Sequence, residues 1–118
     1  MTVLSLDVAK AFDRVSHKRL LHNLRKRRVP ETLVRWTESF LGERETSIRL
    51  GDFVSESEGV QIGIPQGSPI SPTFYLFYNA DLVEDCAVAR LRSSTTAFVD
   101  DNNIMVYGKS GASNCEKL

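Results

Sequence analysis

Three aspartates are the residues of this chain best suited to chemistry. Asp7 ends one short apolar segment, and the adjacent pair Asp100 and Asp101 ends another. A hard cation such as Mg²⁺ prefers oxygen ligands and is usually held by one or two protein carboxylates together with substrate phosphates. Three carboxylates at one place would repel one another, and bound cations would relieve that repulsion. The acids therefore predict a divalent-cation site if the two segments meet.

Each acid also has a plainer explanation when it is taken alone. Asp and Asn are preferred turn residues, so the run from Asp100 to Asn103 is typical of a simple hairpin turn. Asp7 alone is typical of a helix or turn cap after a strand, and Asp13 of a local cap or a surface acid. Only their combination with other features distinguishes a site from these alternatives.

A second candidate is the segment Gly63–Pro72, GIPQGSPISP, called the PQG loop below. Prolines stiffen it, Gly67 lets the backbone approach a ligand closely, and Gln66 offers both a donor and an acceptor. The loop lacks the GxxxxGK[ST] spacing of phosphate-cradling loops, so it does not indicate an ordinary nucleotide hydrolase. Taken alone, such a loop is equally typical of a plain connection before a helix.

The apolar pattern predicts the elements that carry these residues. A short buried strand is expected over Thr2–Asp7. Ser16 caps a helix that runs to about Arg28 and turns three leucines inward, namely Leu20, Leu21 and Leu24. A second helix begins at Pro30 and Glu31 and ends at Gly42, with apolar residues at helical spacing: Leu33, Trp36, Phe40 and Leu41.

The rest of the chain predicts two hairpins and a third helix. Thr46–Leu50 and Phe53–Glu56 flank the turn Gly51-Asp52, and a mostly apolar helix covers Thr73–Ala89. Strands at Thr95–Val99 and Ile104–Tyr107 flank the acidic run. The order predicts an α+β fold with helices on one face of an antiparallel sheet, in which the strands that carry Asp7 and Asp100 can be neighbours.

Composition places the 118-residue chain among soluble globular proteins, with 42% hydrophobic and 25% charged residues. No repeat or linker divides it, so one continuous unit is expected. The apolar run around Phe74–Leu82 falls short of the roughly 18 residues that a membrane span needs, and no secretory signal is visible. Cys86 and Cys115 show no metal-type spacing and favour a reducing compartment.

The zero net charge conceals one basic segment. Residues 17–28 hold six Lys or Arg and no acid, which leaves nine basic residues against fifteen acidic ones elsewhere. Such a cluster can bind phosphates, although a solvated helix face explains it equally well.

Three segments together carry a family resemblance: LDVAKAFDRV at 6–15, GIPQGSPISP at 63–72 and AFVDDN at 97–102. They closely resemble, in this order, the three palm motifs of reverse transcriptases, particularly those of LINE-type (non-LTR) retrotransposons. The following NIMVYG at 103–108 resembles the strand after the catalytic turn. The resemblance implies a truncated polymerase palm, with residues 1–118 a partial domain that lacks the start of the fingers and the thumb.

The resemblance also implies roles for individual residues. It assigns catalysis to Asp7, Asp100 and Asp101, and metal binding to these three and to the backbone carbonyl of Val8. The implied cofactor is a pair of Mg²⁺ ions, with Mn²⁺ as a substitute. Phe12 is assigned as the aromatic gate beneath the incoming sugar; its alternative is an ordinary core aromatic. Gln66 and Gly67 are assigned as contacts to the nascent base pair and template. The residues that shape the loop and start its helix are Ser68, Pro69, Ser71 and Pro72.

The implied function is RNA-directed DNA synthesis, in which a dNTP is joined to a primer 3′-hydroxyl. The expected partners are an RNA template, a DNA primer and dNTPs, and no membrane is expected among them. The expected location is inside the cell, in the nucleus or in a cytoplasmic ribonucleoprotein. Two alternatives stay open: an inactive retroelement remnant that only binds RNA or another chain, and an intron-encoded or telomerase-like reverse transcriptase. An RNA polymerase with a similar palm fits Phe12 and the PQG loop less well. The resemblance also implies that the chain alone, without fingers and thumb, lacks part of the positioning and charge stabilisation that catalysis needs.

Overall fold

The computed structural model describes residues 1–88 and 93–115. The described elements, in chain order, are β1 (Thr2–Asp7), α1 (His17–Lys26), α2 (Glu31–Leu41), β2 (Glu45–Thr46), β3 (Arg49–Leu50), β4 (Phe53–Val54), β5 (Glu58–Gly59), α3 (Ser71–Val88), β6 (Ser93–Phe98), β7 (Asp101–Val106) and α4 (Gly111–Cys115). This mixture of helices and small antiparallel sheets confirms the predicted α+β class. Ala89, the predicted end of the third helix, lies outside the described residues.

Contacts divide the chain into two compact units. The first combines Met1–Ala11 with Pro72–Leu118, and the second is Phe12–Ser71. One boundary, between Ser71 and Pro72, falls at the end of the PQG loop, and the other, between Ala11 and Phe12, falls inside the segment 6–15.

The first unit contains a three-stranded antiparallel sheet in the order β1-β7-β6. Helices cover one face of it. From α3, Asn79 donates a hydrogen bond to Asn102, and from α4, Asn114 donates to the Thr2 hydroxyl and the Val106 carbonyl. Thr2 pairs with Val106, and Asn102 lies four residues before Val106 on β7, so the side chains of these three residues point to that face. The opposite face is open, and Phe98 on it is 78% exposed.

The hairpin between β6 and β7 is tighter than the sequence suggests. Phe98 pairs with Asp101, so the turn consists of Val99 and Asp100 alone. The prediction that places Asp101, Asn102 and Asn103 in the turn is wrong, because these residues begin β7. Their turn preference is overridden by partners inside the fold: Asn102 is buried and hydrogen-bonded, and Asn103 accepts from Ser5 Oγ at 2.6 Å.

In the second unit, α1 and α2 pack against each other. The prediction for α1 is confirmed at its start, where Ser16 Oγ accepts from the Arg19 N–H at 3.4 Å. The three predicted inward residues are also buried, namely Leu20, Leu21 and Leu24. The helix ends at Lys26, and Arg28 beyond it adopts a left-handed conformation with φ of 58°.

The residues that α2 buries are not the same as the apolar residues that the sequence pattern indicates. Val34, Thr37 and Leu41 are buried, whereas Leu33 and Trp36 are 53% and 50% exposed. The stripe tolerates Thr37 because its hydroxyl donates to the Leu33 carbonyl at 2.8 Å. Outside that stripe, the Trp36 ring stacks on Phe40 with centroids 5.2 Å apart.

The predicted hairpin around Gly51-Asp52 is present but shorter. β3 and β4 pair over two residues each, and β2 and β5 continue the ribbon from Glu45 to Gly59. Between these ladders the Ile48 N–H donates to Ser55 Oγ at 2.8 Å, so a side chain replaces one backbone partner. Within the described ranges, no helix is long and apolar enough to cross a bilayer.

Candidate catalytic site

Two of the predicted acids lie opposite each other on neighbouring strands. Asp7 ends β1, Asp101 begins β7, and the two are paired in the antiparallel register. Residues paired in this way point to the same face, with Cβ atoms roughly 4.5–5.5 Å apart. Both side chains are exposed. The predicted meeting of the two acidic segments is therefore confirmed, and two carboxylates share the open face at one end of the sheet.

Asp100 lies in the adjoining turn. Its carbonyl accepts a 3.1 Å hydrogen bond from the N–H of Val8, the residue that follows Asp7. The chain leaving β1 is thereby fixed to the turn of the hairpin. Asp7, Val8, Asp100 and Asp101 consequently lie within one small region of the first unit.

The turn itself contains an unfavourable backbone conformation. Val99 has φ of 53°, in the left-handed region that a β-branched residue rarely adopts. Such conformations cost about 1–3 kcal/mol and persist only where the surrounding structure enforces them. Here the Phe98–Asp101 pair on one side and the Val8–Asp100 hydrogen bond on the other define the turn.

Asn102 supports the turn from the covered side of the sheet, and the sequence prediction missed this role. Its side chain is 1% exposed. Its Nδ2 donates to the Asp100 carbonyl at 3.2 Å, and its Oδ1 accepts from Asn79 at 2.7 Å. The only sequence signal was an Asn at a covered-face position of a strand, where an apolar residue is usual.

Tyr75 on α3 lies within the electrostatic range of Asp100. Burial raises the pKa of the Tyr75 hydroxyl above its ordinary value, and Tyr78 and the Asp100 carboxylate act in the same direction. The phenol therefore stays protonated at neutral pH. It adds no negative charge near the acids.

The acids suit a hard divalent cation by donor type. Among the described residues, no group of three or more His, Cys, Asp or Glu side chains is placed to hold a metal ion, so the expected convergence of all three acids on one ion is not seen. A Mg²⁺ ion that is held by one or two carboxylates and completed by substrate phosphates needs no such set. The exposed Asp7–Asp101 pair fits that mode of binding.

In the second unit, Phe12 lies beside the start of the PQG loop. The Ile64 N–H donates to the Phe12 carbonyl, and the Gly63 N–H donates to the Val15 carbonyl, each at 2.8 Å. Gly63 has φ of 86°, and a Cβ on it would stand 2.8 Å from the carbonyl oxygen of Asp13. Only glycine fits this close approach. Two of the predicted site segments are thus joined directly.

Other contacts shape the rest of the loop. Ser71 Oγ donates to the Pro65 carbonyl at 2.5 Å, which ties the start of α3 back to the loop. Gln66 and Gly67 are exposed. Gln66 also lines an open cleft of about 340 Å³, together with Asp13 and Arg44. Three polar residues therefore border one cleft of the second unit.

The basic segment forms one exposed face of α1. At 100° per residue, its exposed members span an arc of about 120° opposite the buried leucines; they are Lys18, Arg19, His22, Arg25 and Lys26. Arg25 forms a bidentate ion pair with Glu31 of α2, at 2.8 and 3.1 Å. The remaining face is cationic and reaches solvent.

The predicted site residues thus form two sets. Asp7, Val8, Asp100 and Asp101 lie together in the first unit, and Phe12, Gln66 and Gly67 belong to the second. The second set is organised by the hydrogen bonds between the Phe12 segment and the PQG loop.

Comparison with known proteins relates the whole arrangement to one family. Residues 1–117 match the family described as reverse transcriptase (RNA-dependent DNA polymerase). The chain is 32% identical over 108 residues to the RNA-directed DNA polymerase from mobile element jockey of Drosophila melanogaster, which covers 89% of the chain and 12% of that protein. It is also 32% identical over 98 residues to the probable RNA-directed DNA polymerase from transposon X-element of the same species, covering 83% of the chain and 11% of that protein.

A third relative is a retrotransposon polyprotein. The chain is 32% identical over 89 residues to a Pol polyprotein from the type-1 retrotransposable element R2 of Popillia japonica, which covers 75% of the chain and 14% of that protein. The chain therefore spans roughly an eighth of the length of the relatives it matches. These matches confirm the resemblance to non-LTR retrotransposon enzymes that the three motifs carry, and the chain belongs to the reverse transcriptase (RNA-dependent DNA polymerase) family.

Proposed function

We propose that this chain is the palm core of an RNA-directed DNA polymerase, which joins dNTPs to the 3′-hydroxyl of a primer on an RNA template. The observation that carries the proposal is the pairing of Asp7 with Asp101 beside Asp100, in a member of the reverse transcriptase family. Because the chain spans only about 12% of the jockey polymerase, the activity is proposed for the longer polypeptide that contains it. Its place of action is proposed to be the nucleus or a cytoplasmic ribonucleoprotein.

The acids and the Val8 carbonyl are proposed to hold two Mg²⁺ ions, with Mn²⁺ as a substitute. Such ions, if bound there, would supply activation of the attacking 3′-hydroxyl and charge stabilisation of the departing pyrophosphate. The protein contributes a fixed platform: paired strands hold Asp7 and Asp101, and the Val8–Asp100 hydrogen bond fixes the turn. The neutral Tyr75 adds no negative charge near Asp100.

The residues of the second unit are proposed to select and align the nucleotide. A bulky ring at Phe12 would collide with a ribose 2′-hydroxyl and so favour deoxynucleotides. The Gln66 amide can donate and accept hydrogen bonds, and Gly67 lets the backbone approach the nascent base pair and template closely. The hydrogen bonds from Gly63 and Ile64 support this proposal, because they keep the loop beside the Phe12 segment.

The cationic face of α1 supports a nucleic-acid partner. Basic side chains that are gathered on one exposed face attract the phosphate backbone independently of base sequence. Binding of this kind weakens steeply with salt. We propose that this face contacts the template or primer.

Primer extension tests the proposal. A labelled DNA primer on an RNA template is incubated with dNTPs and Mg²⁺, and the chain is compared with its Asp100→Asn variant. The same comparison is made in the longest polypeptide that the gene encodes around the chain. A matched control is Asp52→Asn, which neutralises an exposed acid in the Gly51-Asp52 turn. Extension that is lost with Asp100→Asn and kept with Asp52→Asn is expected.

Two other results are informative. Extension only by the longer polypeptide would mean that the site is intact and that further segments are required for positioning. If neither wild-type form extends a primer while both bind RNA, the proposal is wrong and the inactive, RNA-binding remnant is favoured.

A further inference from the structure

Two basic side chains from separate segments, His17 and Arg44, donate hydrogen bonds to the carbonyl oxygen of Gly63. His17, the first residue of α1, donates from Nε2 at 2.7 Å. Arg44, between α2 and β2, donates from a guanidinium nitrogen at 3.3 Å. Both side chains are partly buried, and a hydrogen bond is stronger in such a setting than in water. We call these two contacts the Gly63 latch.

The same residue is also fixed through its other atoms. Its N–H donates to the Val15 carbonyl, and the next N–H, of Ile64, donates to the Phe12 carbonyl. The space that a Cβ would need is occupied by the backbone of Asp13. The start of the PQG loop is therefore held both by the Phe12–Val15 backbone and by the latch.

The latch also borders the cleft that contains Gln66. Arg44 and the loop residues from Gly63 to Gln66 form part of the lining of that cleft of about 340 Å³. A loop start that moved by 1 Å would alter both this cleft and the backbone that carries Phe12. Misplacement on that scale can cost about 100-fold in a reaction that depends on alignment.

We propose that His17 and Arg44 are positioning residues that keep the PQG loop in register with the Phe12 segment and so determine discrimination between dNTPs and ribonucleotides. This inference rests on the proposed polymerase function. Neither residue contacts the nucleotide in this scheme. They act through the Gly63 carbonyl, and Phe12 provides the steric barrier.

A variant pair and a matched control make the latch testable. His17→Ala removes the donor, whereas His17→Gln supplies an amide N–H at a similar reach. For hydrogen exchange the control is His22→Ala, because His22 is the other histidine of the chain and lies exposed on the same helix. For nucleotide selectivity the control is Asp52→Asn, because His22 belongs to the face proposed to contact nucleic acid. Retained folding of each variant is checked first by circular dichroism.

The first measurement is hydrogen exchange of the chain, followed by mass spectrometry. With His17→Ala we expect amides of the segment 63–67 to exchange at least about tenfold faster, while the amides of Leu20, Leu21 and Leu24 keep their protection. His17→Gln should restore most of the protection, and His22→Ala should leave it unchanged. Unchanged exchange of the loop in His17→Ala would overturn the latch, and equal acceleration throughout α1 would show a purely structural role.

The second measurement is the ratio of kcat/KM for a dNTP to that for the matching ribonucleotide, in the longest encoded polypeptide. His17→Ala should lower this ratio about 10- to 100-fold, with recovery in His17→Gln and no change in Asp52→Asn. An unchanged ratio despite a loosened loop would overturn the selectivity role. If the wild-type protein extends no primer, the proposed function fails together with that role, whereas the exchange measurement still decides whether the latch exists.

Discussion

Asn79 of α3 donates a 2.7 Å hydrogen bond to Oδ1 of Asn102, the buried asparagine of the central strand β7. The same Asn102 side chain donates to the carbonyl of Asp100 at 3.2 Å. A helix is thereby connected through one side chain to the backbone of the acidic turn. The position of Asp100 depends on residues on the covered face of the sheet as well as on its neighbours in sequence.

Replacing Asn102 with Ala should lower the free energy of unfolding by about 1–3 kcal/mol, because it leaves the Asn79 amide without its acceptor in a partly buried place. Urea denaturation would measure this. The control is Asn103→Ala, which removes only the exposed bond to Ser5 and should cost less. Equal losses for the two variants would contradict the anchoring role of Asn102.

Metal binding by the acids is predicted to be weak in this chain and to depend on Asp100. Calorimetric titration with Mg²⁺ or Mn²⁺ should show binding to the wild type that Asp100→Asn abolishes. Asp52→Asn, at an exposed turn of the second unit, should titrate like the wild type. Identical titrations for the wild type and Asp100→Asn would count against the assigned site.

Phe12→Val should relax discrimination against ribonucleotides in an active polymerase that contains this chain. Loss of a steric penalty of about 1.4 kcal/mol would raise ribonucleotide use about tenfold relative to dNTPs. Competitive incorporation on one template measures the ratio. Phe53→Val, which alters an exposed ring in the hairpin, is the control and should leave the ratio unchanged. Unaltered discrimination in Phe12→Val would remove this residue from the gate role.

Two glycines of the PQG loop should differ in their tolerance of alanine. Both have left-handed φ angles, 86° at Gly63 and 85° at Gly67, which cost an L-residue about 1–2 kcal/mol. At Gly67 nothing lies within 4 Å of an added Cβ, whereas at Gly63 it would meet the Asp13 backbone at 2.8 Å. Gly63→Ala should therefore destabilise the fold by about 3 kcal/mol or more. Chemical denaturation that ranks Gly67→Ala as the more damaging would be inconsistent with this packing.

The Arg25–Glu31 pair should make a small, pH-dependent contribution to stability. The hydrogen bond from Arg25 lowers the pKa of Glu31 below its ordinary value of 4.5, despite some opposing desolvation. Because the pKa of Glu31 is lower in the folded state, the pair stabilises the fold at pH values above the pKa of Glu31 in the unfolded chain. This contribution is lost as the pH falls through the pKa of Glu31 in the folded chain.

Arg25→Gln should therefore lower the melting temperature slightly at pH 7, and the difference should shrink as the pH drops below about 4.5. The effect is small because both side chains are exposed. Added salt should reduce it further. A difference between wild type and variant that grows under acidic conditions would have the wrong sign.

Much of the local structure was predictable where the sequence pattern of a segment agrees with the contacts that the segment makes in the fold. Thr2–Asp7 is a strand as predicted, and α1 begins at the Ser16 cap. The prediction was wrong where tertiary contacts override local preference: the buried bonds of Asn102 draw it into β7. On α2, the exposed Leu33 and Trp36 show that helical spacing alone does not identify the buried stripe.

The site was predictable to a similar extent. The acidic motifs predicted that Asp7 would meet the hairpin, and the register pairs it with Asp101. By contrast, nothing in the sequence pattern indicated His17 or Arg44, because both bind a backbone carbonyl far along the chain, and every residue type offers that acceptor.

Because the turn between Phe98 and Asp101 has only two residues, the number of residues there decides which face of the sheet Asp101 occupies. Side chains alternate between the faces of a strand, so a slip of β7 by one position would exchange them all. Asp101 would then face the helices and Asn102 the solvent, although every residue of the motif would still be present. An insertion or deletion that β7 absorbs would thus disrupt the candidate site without altering any of its acids. A comparison of sequences by motif alone would still count such a copy as intact.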